Sequence, residues 1–202
     1  MVATARLLAL WLLLALIAGC AGLAEREPSS PGWKQHRAQL AALQDWTASG
    51  KLALRTVDAS ESASIVWQQA GQHTRLQLSG PLGMGATTID SDGQILDIRQ
   101  GDERTTLDIS TPDAILLNTG WDLPLSALIH WLKGLPSPDW DIQQIAVNPE
   151  TELLQSLQQG DWEVQFQKYG QFDAYILPTR LQIQRGSTRV KLVLSRWQMP
   201  PT

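Results

Sequence analysis

Trp162-Glu163-Val164-Gln165-Phe166-Gln167 decides the fold class of this chain. Large apolar side chains fall at every second position with polar ones between them, the period of a strand with one buried and one wetted face. The alternation recurs at Leu52/Leu54, Ile65/Trp67, Leu76/Leu78, Leu107/Ile109, Leu181/Ile183 and Val190/Leu192/Leu194. Turn signals separate the runs at Asp58-Ala59-Ser60, Ala70-Gly71, Ser91-Asp92-Gly93, Gly101-Asp102, Gln159-Gly160 and Gly186-Ser187. Spacings of about ten residues predict antiparallel hairpins in one large curved sheet.

Helical periods frame and interrupt the sheet. Residues 33–46, WKQHRAQLAALQDW, predict an amphipathic helix with Leu40 and Leu43 on one face and Trp33, His36 and Trp46 near it. Thr111-Pro112-Asp113 reads as an N-cap with proline in the first turn, opening a run through Leu117. Pro124 opens another run, LSALIHWLKG, which Gly134 closes. Its Leu125, Leu128, Ile129 and Leu132 cover most of a helix surface, so it has to sit between two apolar surfaces, as a plug would inside a curved sheet. Two architectures satisfy this pattern: a hollow β-structure holding something hydrophobic, and a sandwich with a solid core. The tryptophans at 33, 46, 67, 121, 131, 140, 162 and 197 suit either, since large rings line cavities and fill cores.

The N-terminus carries a separate message. Arg6 precedes an uncharged run from Leu7 to Ile17, and Ile17-Ala18-Gly19-Cys20 follows. That run is too short for a bilayer, which takes about 20 residues. A basic start, a short apolar stretch and small residues before a cysteine predict a lipoprotein export signal over residues 1–19, cleaved before a lipidated Cys20. Cys20 is the only cysteine, so no disulfide is available. Residues 20–32 are polar, hold two prolines and show no period, which predicts a flexible tether. At ~3.5 Å per residue it reaches about 40 Å. Residues 33–202 then form one domain. Several acyl chains at ~0.8 kcal/mol per methylene make such an anchor effectively permanent.

Charge and motif content exclude several functions. Loss of Arg6 with the signal leaves 15 Lys/Arg against 20 Asp/Glu, a poor balance for gripping phosphate backbones. Along the sequence no basic cluster exceeds a scattered pair, so neither nucleic-acid binding nor a polybasic patch for anionic lipid is expected. His36, His73 and His130 lack metal-ligand spacing. Gly83-Met84-Gly85-Ala86-Thr87-Thr88 starts like a dinucleotide loop but lacks its third glycine. No phosphate-binding loop or nucleophile elbow is present, and Asp102-Glu103 falls in a turn. The expectation is no catalysis, no cofactor and no metal.

Five short motifs together resemble a known family. They are Trp33-Lys34-Gln35-His36, Trp67-Gln68-Gln69-Ala70-Gly71-Gln72, Gly80-Pro81-Leu82-Gly83, Trp131-Leu132-Lys133-Gly134-Leu135-Pro136, and Arg189-Val190-Lys191-Leu192 running toward Trp197. In order and spacing they are similar to the LolB receptors of the LolA/LolB-like lipoprotein localization family, over essentially the whole mature chain. The resemblance implies an incomplete, half-open antiparallel β-barrel with an N-terminal helix and a central helical lid. It implies a receptor at the outer membrane of a Gram-negative bacterium, lipid-anchored and facing the periplasm. Such a receptor accepts acylated lipoproteins from the periplasmic carrier LolA and inserts them into the inner leaflet, acting as a monomer. The acyl-binding cavity would be lined by Leu52, Leu54, Ile65, Trp67, Leu76, Leu78, Trp162, Val164, Phe166, Leu181 and Ile183, with Leu125, Leu128, Ile129 and Leu132 as lid. Leu82 matches a loop leucine needed for membrane delivery, and Met84, a departure from the family's polar continuation, would share that role. Ala21 after the lipidated cysteine fits outer-membrane sorting. The competing class is a structural lipoprotein with a solid β core that scaffolds an envelope complex.

Overall fold

The computed structural model describes residues 31–80, 85–109 and 124–200. Cys20, Leu82, Met84, Trp121 and the helix expected from Thr111 to Leu117 lie outside the described residues. In chain order the elements are α1 (Pro31–Ala42), β1 (Asp45–Arg55), β2 (Ser60–Ala70), β3 (His73–Ser79), β4 (Thr87–Ser91), β5 (Ile95–Gln100) and β6 (Glu103–Asp108). Then follow α2 (Leu125–Trp131), β7 (Ile142–Val147), β8 (Leu154–Gln159), β9 (Trp162–Phe172), β10 (Tyr175–Arg185) and β11 (Thr188–Gln198).

All 11 strands form one antiparallel sheet in the order β6-β5-β4-β3-β2-β1-β11-β10-β9-β8-β7. Two meanders, β1 to β6 and β7 to β11, are thus joined where the first strand pairs with the last. The sheet edges, β6 and β7, are neighbours in the sequence, yet no ladder joins them among the described residues. Pairing them would close the barrel. The described part of the chain between them includes α2.

Register carries the apolar alternation from strand to strand. Residues directly opposite in an antiparallel ladder share a face, so one row runs Ile145, Leu157, Val164, Ile183, Val190, Leu54. A second runs Phe166, Leu181, Leu192, Leu52, and a third Trp197, Ala48, Trp67, Leu76, Ile89, Ile98. These side chains belong to a single core, on which α1 and α2 also pack. At the ladder shift between Ser49 and Gly50, a Cβ on Gly50 would stand 2.0 Å from the Val193 carbonyl oxygen, so only glycine lets β11 approach there.

Three sequence expectations are corrected. The first helix starts at Pro31 and ends at Ala42, and Trp46 belongs to β1. Ladders on both sides of β1 begin by Thr47, and Trp46 stacks 6.1 Å from Trp67 and lies 5.1 Å from Trp197. Another helical turn would forfeit both ladders and these contacts. Secondly, β4, β5, β7 and β8 had no strict alternation to announce them; β4 is Thr-Thr-Ile-Asp-Ser, with Ile89 its one large apolar residue. Thirdly, basic residues scattered along the sequence become neighbours in space, because β1 lies beside β11.

Candidate functional site

The strands define two rims. One carries the β1–β2, β5–β6, β8–β9 and β10–β11 turns, and the β3–β4 connection leaves and returns there through Gly80 and Gly85. The opposite rim carries the β2–β3 turn at Gly71, the β9–β10 turn and the C-terminal end of α1. Burial is graded between them. Near the second rim Trp46, Trp67 and Trp197 form a packed cluster with Leu40 and Leu43 of the α1 stripe. Trp67 Nε1 donates to Gln69 Oε1 (3.1 Å), and Trp197 Nε1 to the Pro178 carbonyl (3.0 Å). Toward the first rim Leu52, Leu54 and Leu78 are only half-buried. Of the expected interior residues, Ile65, Trp67, Leu76, Trp162, Val164, Phe166, Leu181 and Ile183 are fully buried. The structure therefore brings all eleven to one face, the inner face, and leaves three of them accessible.

The segment from α2 to Ser137 covers that face. Leu128 and Leu132 are buried, while Leu125 and Ile129 are half-buried. The helix ends in a Schellman arrangement: the Leu135 amide donates to the His130 carbonyl (3.1 Å) and the Gly134 amide to Trp131 (3.0 Å). Gly134 takes φ +80°, in the left-handed region where side chains are strained. The chain turns there into Leu135 and Ser137, both buried. Trp131 lies 6.2 Å from Trp162 and 6.0 Å, edge-on, from Trp140.

Two buried polar side chains, neither legible in the sequence, hold this segment. Gln159, wholly buried at the end of β8, had read as part of a turn. Its Oε1 accepts from Trp131 Nε1 (2.9 Å) and the Ser137 amide (2.8 Å), while Nε2 donates to the Ser137 (2.8 Å) and Trp140 (2.7 Å) carbonyls. Every hydrogen-bonding site of the amide is used. Lys133 is the second. It is buried, and its Nζ donates to the Leu40 (3.1 Å) and Leu43 (2.9 Å) carbonyls, capping the C-terminal end of α1. The covering segment is thus tied to β8 through Trp131 and Ser137 and, between them, to α1 through Lys133. Tyr169 supports the turn: its hydroxyl donates to the Leu154 carbonyl (2.7 Å), and burial pushes its phenol well above the ordinary value.

Burial also pulls the Lys133 ammonium down to about 8 from 10.5. Between those values the unfolded chain binds the proton that the folded chain has released, so Lys133 makes stability rise with pH across that window. A Lys133→Met protein is expected to lack this rise. Thermal unfolding of both proteins from pH 7 to 10 checks it: their melting temperatures should diverge in favour of the wild type above pH 8. A constant difference would mean that Lys133 does not titrate in the folded chain.

The interior offers apolar surface rather than reactive groups. Desolvation lowers the pKa of both half-buried histidines, His36 and His130, favouring neutral rings. No group of three His, Cys, Asp or Glu side chains could hold a metal ion among the described residues.

Known proteins share this sequence and fold. The family model described as outer membrane lipoprotein LolB matches residues 44–197. The outer-membrane lipoprotein LolB of Stutzerimonas stutzeri is 34% identical over 189 residues, covering 91% of this chain and 90% of that one. Its counterpart in Pseudomonas putida is 35% identical over 195 residues, with 92% of each chain covered. That of Chromohalobacter salexigens is 34% identical over 202 residues, with 98% and 92% covered. Among solved structures, a LolA superfamily protein from Nitrosomonas europaea superposes with TM-score 0.55 at 10% identity, covering 85% of this chain and 93% of that one. A putative outer membrane lipoprotein-sorting protein domain from Vibrio parahaemolyticus gives 0.55 at 12% identity, covering 84% and 91%. Those two likenesses concern the fold alone. The identity and coverage of the sequence relatives establish more, and the chain belongs to the LolB family of outer-membrane lipoproteins.

Proposed function

We propose that this protein is an outer-membrane receptor that takes acylated lipoproteins from a LolA-type periplasmic carrier and passes them to the membrane. The observation that carries the reading is the unbroken set of apolar rows on the inner face, covered by the α2 segment rather than by a closing β6–β7 ladder. Here the segment that covers the inner face is held by side-chain hydrogen bonds to Gln159 and from Lys133 rather than by a strand ladder, so in this reading it opens without breaking a strand pair. In this reading α2 is the lid, with Leu128 and Leu132 its inward side. Leu52, Leu54 and Leu78 mark the mouth, and Cys20 with residues 21–30 anchors the domain. An acyl chain crossing water exposes about 0.8 kcal/mol per methylene, so a sheltered route is required. Neither catalysis nor a cofactor enters this scheme: the cargo moves down an affinity gradient from carrier to receptor to bilayer. The receptor acts as a monomer.

The fully buried Ile65 is a poor place to test the interior, because a carboxylate there would strain the fold itself. Half-buried Leu52 is better. Leu52→Glu is expected to fold normally yet take up cargo from a loaded carrier at least about tenfold less well, since a charge at the mouth resists desolvation beside an acyl chain. Normal uptake by the folded variant would remove the mouth from this position.

A further inference from the structure

On the outer face of the sheet Arg55 stands opposite Arg189, Ala53 opposite Lys191, and Lys51 opposite Val193. Four exposed cations from the two ends of the domain thus share one strip. Like charges directly opposite one another destabilise a strand pair. Among the described residues none of the four is ion-paired with a carboxylate, whereas Arg75, Arg99 and Arg104 pair with Asp90 and Asp97 across β3 to β6. Lys51 donates to Ser64 Oγ (2.8 Å), and Ser60 and Ser62 continue that polar border along β2. On the other side Gln182 and Gln184 border the strip. Glu163, one strand beyond, accepts from the Gln165 and Gln184 amides, at 2.7 Å each.

The strip runs out at the first rim, where Val57 on the β1–β2 turn is 78% exposed beside Asp58. The β3–β4 connection leaves the same rim. In a chain of net charge −4, uncompensated cations that lead to an apolar tip fit an anionic, deformable surface.

We propose that Lys51, Arg55, Arg189 and Lys191 bind lipid phosphates of the membrane while Val57 enters its interface, so that this rim faces the bilayer. The inference rests on the membrane-anchored receptor reading and adds to it a second, electrostatic contact that sets orientation. A tethered domain needs only weak attraction of this kind, and each cation near an anionic surface shifts the docked-to-undocked ratio by about fivefold. The strip lies on the outer face, bordered by serines and glutamines, which suits a mobile layer of headgroups.

The test uses the full-length anchored protein in vesicles of phosphatidylcholine, with or without phosphatidylglycerol. A polarity-sensitive dye is placed through Asp58→Cys on this rim, or through Gln72→Cys on the opposite one. The position-58 dye should report an apolar environment in phosphatidylglycerol vesicles at low salt and lose it at high salt. The position-72 dye should remain aqueous. Combining Arg55→Gln, Arg189→Gln and Lys191→Gln should lower docking about fivefold per cation, whereas Arg55→Lys with Arg189→Lys should retain it. Equal signals at 58 and 72, or normal docking by the triple variant, would overturn the proposal. So would a triple variant that docks normally but no longer takes cargo from the carrier, which would make the strip a carrier contact. Cargo delivery is measured in the same vesicles: docking without delivery counts against the receptor reading, and delivery without docking against this inference alone.

Discussion

Leu82→Glu is expected to leave folding and cargo uptake unchanged and to reduce delivery into membranes about tenfold or more. The described chain leaves the first rim at Gly80 and returns to it at Gly85, and Leu82 lies between them in the sequence. A leucine fully buried in the interface gains roughly 1.5–3 kcal/mol, and a carboxylate at the same place is resisted. In the proposed reading uptake and release then separate, with the inner face assigned the first and the rim the second. Thermal stability, uptake from the carrier and delivery are measured on one preparation. Loss of all three would make Leu82 a core residue, and normal delivery would make it idle.

Gln159→Leu should produce the largest loss of stability of any single substitution among the polar side chains that hold the covering segment. It strands Trp131 Nε1, the Ser137 amide and carbonyl, and the Trp140 carbonyl, three of them in buried surroundings. A buried group left without its partner costs about 1–3 kcal/mol, and such costs overlap when the groups share one site. A total near 4 kcal/mol corresponds to a melting temperature lower by roughly 10 °C. Gln158, its neighbour in β8, faces the other way, and Gln158→Leu should stay within about 0.5 kcal/mol of the wild type. Equal effects at 158 and 159 would deny Gln159 its part in fixing the covering segment.

What was legible in the sequence follows from the physics of each element. β2, β3, β9, β10 and β11 were visible because each buries one face, so the period of two is written into their composition. β4 and β5 lie toward an edge, each with one buried large apolar residue, Ile89 and Leu96, and their pattern fades accordingly. The end of α1 was misread because Trp46 fits a helical stripe as well as it fits a strand; pairing with two neighbours settles the matter, and pairing is not local. Gln159 and Lys133 could not be singled out, since a glutamine before Gly160 looks like a turn and a lysine before Gly134 looks like a solvated helix end. Only the third dimension buries them. The basic strip was hidden for the same reason: its halves are separated by nearly the whole domain.

Placing a photo-crosslinking residue at Leu78 or at its neighbour Gln77 tests the central claim most directly, because the two alternate across one strand of the sheet. Leu78 faces inward opposite Ile65, and Gln77 faces outward opposite Val66. With a loaded carrier supplying lipoprotein, illumination is predicted to join position 78, and not position 77, to the acyl chains of the cargo. Equal yields at both positions, or adducts at 77 alone, would contradict an interior that shelters lipid.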